Sequence, residues 1–310
     1  MADPKFARET DNGRYYDDPA DGVLVPSITN VLDEWNIPAL APGAAKETAE
    51  YIVAHLPAAV RAARRPETRE AFLKDAKAHY KAVWERKRDL GTRVHVLSEA
   101  HMLGKPMPED EEAAPYMRQY ERWIDDFGID IENDVEFTEV TVLRRTAPRY
   151  GGTADLGVHL RFPAEMSPQH PRYRGKIART QGDIPTPSGL WFVDIKTSMT
   201  KPPSAVYRDH LLQLAALRYA QVALVCPMGC EGPDDHRPEH EAPVPEFVGT
   251  AILNLRRNAY GFVPLPANEE AHAAFLNLVG VARFAHQIDM APFKPIAAPT
   301  AATTRTEGAA

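Results

Sequence analysis

Trp191-Phe192-Val193-Asp194-Ile195-Lys196-Thr197 is an apolar strand with two charges set into it. Alternation places Phe192, Asp194 and Lys196 on one face and Trp191, Val193 and Ile195 on the other, so a carboxylate and an ammonium emerge side by side. Burying such a pair costs several kcal/mol unless a metal, a phosphate or mutual pairing compensates. Upstream, Gly152-Thr153-Ala154-Asp155 offers a second carboxylate on a neighbouring strand. Two readings stand side by side: a metal shared by Asp155 and Asp194, or a structural ion pair between Asp194 and Lys196.

Periodicity and breakers extend outward from this strand. Residues 41–58 and about 67–103 read as helices, the second with Phe72, Ala76, Tyr80, Val83 and Trp84 at apolar positions and a break near Gly91. A helix over about 111–127 ends at Gly128, and residues 135–144, 152–160 and 190–196 read as strands. A helix over about 203–224, strands over 247–255 and 260–264, and a helix over about 267–288 complete the pattern. The expected organisation is an N-terminal arm (1–25), a helical region with the His95 helix (26–130) and an α/β core (131–290) with insertions 161–189 and 226–246. The Ala, Thr and Pro rich tail 291–310 is expected to be disordered.

Composition bounds the function classes. A chain of 310 residues, 44% hydrophobic, can bury a full core. Its apolar runs fall short of the roughly 18 residues a membrane span needs, and the N-terminus is rich in Asp, Lys and Arg, so a cytoplasmic protein without membrane attachment is expected. Two cysteines argue against a disulfide framework. The net charge is −7, yet residues 141–218 hold 12 Lys or Arg against 5 Asp or Glu. That surplus overlaps the Asp155–Lys196 stretch and reads either as a groove for a polyanion or as a solvated basic loop.

The Gly-Thr-x-Asp strand, the Asp-x-Lys strand and the following helix carrying Gln213 resemble the PD-(D/E)XK nuclease superfamily, most closely its RecB-like and CRISPR-associated exonuclease branch. Gly91-Thr92-Arg93-Val94-His95 resembles the helical histidine motif of that branch, and Glu139 in Phe137-Thr138-Glu139-Val140-Thr141-Val142 matches its early strand glutamate. Pro26-Ser27-Ile28-Thr29-Asn30-Val31-Leu32 is similar to the opening of many bacteriophage members. The matching segments run from about residue 26 to about residue 288, in the family's order. The resemblance implies a restriction-endonuclease-like αβββαβ core, a mixed central sheet flanked by helices, behind a helical N-terminal region.

It also implies a chemistry. Hydrolysing a phosphodiester needs an activated water, neutralised phosphoryl oxygens and help for the leaving oxygen, which one or two Mg²⁺ or Mn²⁺ ions supply. Hard oxygen ligands suit such ions, so Asp155, Asp194 and the Ile195 backbone carbonyl are the expected ligands, with His95 as a third side chain. Lys196 would orient the water or stabilise charge on phosphorus, with Glu139 near the metal. Gln213, an amide on an otherwise apolar helix, needs a buried partner, met by Lys196 or by a DNA phosphate. Where the branch commonly shows Gln-x-x-x-Tyr, this chain has Leu217; the nearest aromatics are Tyr219 and, upstream, Tyr207, and Tyr219 becomes the DNA-binding candidate. The implied activity is a DNA exonuclease in phage or bacterial recombination, repair or end processing, in the bacterial host cytoplasm if phage-encoded, with a recombinase or single-strand annealing protein as a partner. A non-catalytic DNA-binding or assembly protein that retains the fold is the alternative, and oligomeric state stays open.

Several residues carry two readings. His95 is either a ligand or an ordinary core histidine, and Glu99, one turn on, is either its partner or a solvated helix carboxylate. Cys226, Cys230, His236 and His240 either hold Zn²⁺ or belong to a solvated loop beside Asp234 and Asp235. An iron-sulfur cluster of the four-cysteine type is not expected, because only two cysteines exist. The segment from Arg161 to Gly189, with Arg172, Arg174, Lys176, Arg179 and five prolines, is either a DNA-contacting flap or a plain insertion.

Overall fold

The computed structural model describes residues 5–35, 40–162, 186–225 and 232–288. Two sheets organise them. A small antiparallel sheet is formed by β1 (Ala7–Thr10), β2 (Gly13–Asp17) and β3 (Leu24–Pro26). The large sheet is built from β4 (Val135–Arg144), β5 (Tyr150–Leu160), β6 (Gly189–Thr197), β7 (Val222–Leu224), β8 (Glu241–Pro243), β9 (Gly249–Leu255) and β10 (Tyr260–Pro264). Its order is β10-β9-β6-β5-β4-β7-β8, antiparallel throughout except for the parallel β6–β9 pair. This is an α/β fold with a mixed seven-stranded sheet flanked by helices. No helix of the described residues is long and apolar enough to cross a membrane.

Strand alternation sorts the core into two layers. Trp191, Val193 and Ile195 of β6 pack with Leu156, Val158 and Leu160 of β5 against α4 (Pro66–Met102) and α5 (Ala114–Phe127), through Leu90, Val94, Leu97, Tyr120 and Trp123. Phe192, on the opposite face, joins Ile252 against α1 (Ile28–Asp33), α7 (Arg208–Arg218) and α8 (Glu269–Gln287). The short α6 (Ile131–Asp134) leads into β4, and α2 (Leu40–Ala54) and α3 (Leu56–Arg64) fold back along the N-terminal half of α4. Tyr51 on α2 meets His79 on α4 at 4.8 Å, and Glu47 pairs with Lys87 at 2.9 Å.

Four boundaries differ from the sequence expectation. The arm 1–25 holds a three-stranded sheet, tied to the large sheet by Arg145, whose guanidinium donates to both Asp18 and Glu241. The first helix divides at His55, with Pro57 opening α3. The expected break at Gly91 is absent: α4 runs 37 residues without interruption. Glycine is needed there for proximity, since a Cβ at Gly91 would lie 3.1 Å from Thr197 Oγ1 on β6. The expected helix over 203–224 is shorter, beginning at Arg208 and ending at Arg218; Gln221 N–H then donates to Leu143 O at 2.9 Å and Val222–Leu224 add β7 to the open edge of β4. The tail 291–310 lies outside the described residues.

Candidate metal centre

The site lies where β5 and β6 part. Their pairing runs from Leu160↔Gly189 to Leu156↔Val193 and stops, while β6 continues with β9 to Thr197↔Leu255 and β5 with β4 to Arg144↔Tyr150. Asp155 is the next residue along β5, and its Oδ2 accepts the Ile195 N–H at 2.7 Å, taking the place of a backbone carbonyl. The strand fork therefore fixes the carboxylate. Beyond it, the edge of β5 vacated by β6 is met by Ser27, bridged to Gly151, so that β3 and α1 form a wall. Gly152 permits this approach, because a Cβ there would come within 2.5 Å of Ile28 Cδ1. The result is a cavity of about 480 Å³ lined by His95, Glu139, Asp155, Lys196 and Gln213, among others.

Glu139 faces Asp155 across β4 and β5, between the pairs Thr138↔Leu156 and Val140↔Ala154. Its φ of 51° is left-handed, a conformation that costs a residue with a side chain about 1–3 kcal/mol and persists only where its surroundings enforce it. The carboxylate so placed has Oε1 3.3 Å from His95 Nδ1, with Asp155 Oδ2 3.5 Å from the same nitrogen. His95 Nε2 lies 2.9 Å from the Ile195 carbonyl oxygen. Both ring nitrogens thus face acceptors. Burial works against the imidazolium, but Asp155 and Glu139 outweigh it and raise the His95 pKa to about 9. Among the described residues, His95, Glu139 and Asp155 are the one group whose ligand atoms converge as a cation requires, all within 4.8 Å of one another.

Beside this triad, Asp194, Lys196 and Gln213 close a second cluster. Asp194 Oδ1 accepts from Lys196 Nζ at 3.1 Å and from Gln213 Nε2 at 3.0 Å, and Gln213 Oε1 accepts from Lys196 at 3.1 Å. Both ends of the Gln213 amide are thereby satisfied, which answers why an amide stands on the apolar face of α7. Asp194 is fully buried, and its Oδ2, 2.9 Å from the same ammonium, makes no aligned hydrogen bond. Burial raises the Asp194 pKa, opposed by Lys196; burial lowers that of Lys196 but is outweighed by Asp194 and Asp155, so the lysine stays charged.

The donor set fits a divalent cation. Burial pushes the pKa of Asp155 up as well, with His95 and Lys196 opposing and Glu139 adding to the rise. The carboxylates and imidazole of His95, Glu139 and Asp155 could together hold a metal ion, for which His95 would have to give up its proton. The Ile195 carbonyl, expected as a ligand, is engaged by His95 in this arrangement.

Glu99 and Leu217 also line the cavity, and other expected residues lie elsewhere. Tyr219 does not line it: its ring stacks on His272 at 5.1 Å, in the packing of α7 on α8. His236 and His240 sit with ring centroids 5.5 Å apart, His236 Nε2 being 3.5 Å from Glu241 Oε1 and His240 Nδ1 accepting from Arg237 N–H at 3.2 Å. Their expected partners Cys226 and Cys230, and Arg172, Arg174, Lys176 and Arg179, lie outside the described residues. Sequence reasoning missed the cavity's basic wall, made by Arg14 on β2 with Lys87 and Arg88 on α4, and the Tyr16–Thr153 hydroxyl pair at 2.8 Å. The alternation Arg14-Tyr15-Tyr16 after the Asn12-Gly13 turn signal is what would have revealed that hairpin.

No protein-family model matches this chain, and no curated protein matches it. A solved structure described as SSO0001 aligns at 12% identity and a TM-score of 0.26, over 55% of this chain and 57% of its own length.

Proposed function

We propose that this chain is a Mg²⁺- or Mn²⁺-dependent deoxyribonuclease on a PD-(D/E)XK core, working as an exonuclease in phage or bacterial recombination or DNA end processing. The observation that carries the reading is the convergence of His95, Glu139 and Asp155 in a cavity at a strand fork that Lys196 and Gln213 also line, both of them hydrogen-bonded to the fully buried Asp194. A cation held by His95, Asp155, Glu139 and Asp194 would supply Lewis-acid charge to a phosphodiester oxygen and acidify a bound water. Hydrolysis joins the water oxygen to phosphorus and breaks one P–O ester bond; the water's proton is lost to solvent or a base, and the leaving oxygen gains one. Lys196, held by Asp194 and Gln213, presents its ammonium to the phosphoryl oxygens or the attacking water. Arg14, Lys87 and Arg88 supply positive charge for the flanking phosphates.

End-labelled linear and closed circular DNA, incubated with the protein in Mg²⁺ or Mn²⁺ beside Asp194→Ala and Lys196→Ala, tests this. Loss of linear DNA only, abolished by both substitutions, is the expected result. Nicked circles would make the enzyme an endonuclease. Absence of metal-dependent cleavage on either form would favour a DNA-binding protein that keeps the fold without turnover.

A further inference from the structure

A second cavity, of about 910 Å³, adjoins the metal centre and shares Lys87, Lys196 and Thr197 with it. Its lining differs in kind. Trp35 after α1, Trp84 on α4 and Tyr207 before α7 contribute aromatic surface, with Tyr207 45% exposed. Lys201 stands 6.0 Å from the Tyr207 ring centroid, and Arg208 makes no ion pair among the described residues. Gly43 on α2 lies against Trp84: a Cβ there would touch the indole at 3.4 Å, so the ring is backed by helix. At the side nearest Asp194, His210 is 8% exposed, and its Nδ1 has no hydrogen-bond partner among the described residues. That nitrogen is itself shielded from solvent, so the aromatic faces and the cations are what the cleft offers an occupant.

Aromatic faces and cations without ion pairs among the described residues, beside the proposed phosphodiester site, fit one occupant. We propose that this cleft holds the unpaired bases of the strand being cut, so that the substrate is a single-stranded end or a frayed terminus. The proposal rests on the nuclease reading for the identity of the strand. Bases stack on Trp84 and Tyr207 because every base has a π face, while Lys201 and Arg208 follow the backbone. A blunt duplex keeps its bases paired and stacked internally, and offers the cleft only phosphates.

Intrinsic fluorescence reads this directly. Of the four tryptophans, Trp123 and Trp191 are fully buried, so quenching by a stacked base reports on Trp35 and Trp84. The full chain is titrated in EDTA with a short deoxythymidine oligonucleotide, an abasic oligonucleotide of equal length, and a blunt duplex. Base-bearing single strands are expected to quench the signal and to bind about tenfold or more tightly than the abasic strand. Trp84→Ala should erase that difference and Trp84→Phe should keep it. Equal affinity for base-bearing and abasic strands in the wild type, tighter binding of the duplex, or a difference unchanged in Trp84→Ala would overturn the proposal. Cleavage of DNA without base discrimination would leave the nuclease reading standing and remove the cleft. Base discrimination without cleavage in Mn²⁺ would do the reverse.

Discussion

Asp155 serves the strand fork and the cation site at once, and these roles separate on substitution. Without a metal its pKa is raised, by burial first and by Glu139, against the opposing pull of His95 and Lys196, so its ionisation opposes folding. An asparagine keeps an acceptor for the Ile195 N–H and removes the charge. Asp155→Asn is therefore expected to abolish metal-dependent cleavage while raising the metal-free melting temperature by about 1–3 °C, and to lose the further rise that Mn²⁺ gives the wild type. A melting temperature below wild type in EDTA would show that the carboxylate's charge contributes to folding. His272 gives a second residue-scale test. Its Nε2 is 2.9 Å from Tyr150 Oη, and because that hydroxyl donates to Ala216 O at 2.8 Å, the imidazole Nε2–H is the donor. Burial lowers its pKa to about 4, against about 6.5 in the unfolded chain. The stability this neutral ring supports is thus complete above pH 6.5 and declines as pH falls toward 4. Relative to His272→Gln, the wild type should lose melting temperature progressively between pH 6.5 and 4.5; parallel profiles would refute the assignment.

At the scale of elements, the closeness of α4 to β6 decides whether His95 reaches the fork. Gly91 is one helical turn from His95, and its missing Cβ is what lets α4 pass Thr197. Alanine has a helix propensity about 1 kcal/mol better than glycine, which the 3.1 Å contact with Thr197 Oγ1 opposes. In chemical denaturation Gly91→Ala should be near neutral alone and should gain up to about 1 kcal/mol in a Thr197→Ala background, a coupling that additive effects would disprove. The same element shows what the sequence could carry. The alternation of Trp191 to Lys196, the strands over 135–144 and 190–196 and the helix over 267–288 are local patterns, and they appear in the fold close to where the pattern puts them. Gly91 reads as a helix break because its reason is tertiary. Likewise Val222–Leu224 are strand only because β4 has an open edge, and the left-handed Glu139 is set by its opposition to Asp155. The residue types of the candidate site were legible, whereas the His95–Ile195 hydrogen bond and the orientation of Tyr219 toward His272 depend on packing that no spacing encodes.

For the molecule as a whole, charge placement is the property that sequence totals misjudge most. Part of the basic surplus over residues 141–218 is spent on structure: Arg145 and Arg149 bind Asp18, Arg161 pairs with Asp134, and Arg218 donates to the Ala267 and Phe247 carbonyls. Among the described residues, Lys196 is the one basic side chain of that segment lining the candidate metal cavity, whose basic wall is contributed instead by Arg14, Lys87 and Arg88 from the N-terminal sheet and α4. A chain of net charge −7 repels a polyanion at long range, so binding of the proposed DNA substrate would come from these few contacts at short range. Each phosphate neutralised releases counterion, which makes affinity fall with salt in proportion to the number of contacts. Arg88 forms no hydrogen bond or ion pair among the described residues and costs little to remove. Arg88→Ala should weaken binding uniformly across DNA sequences and reduce the slope of log K against log salt by about one, at unchanged melting temperature. An unaltered slope would place the phosphates away from α4, and with them the direction in which a strand enters the cavity.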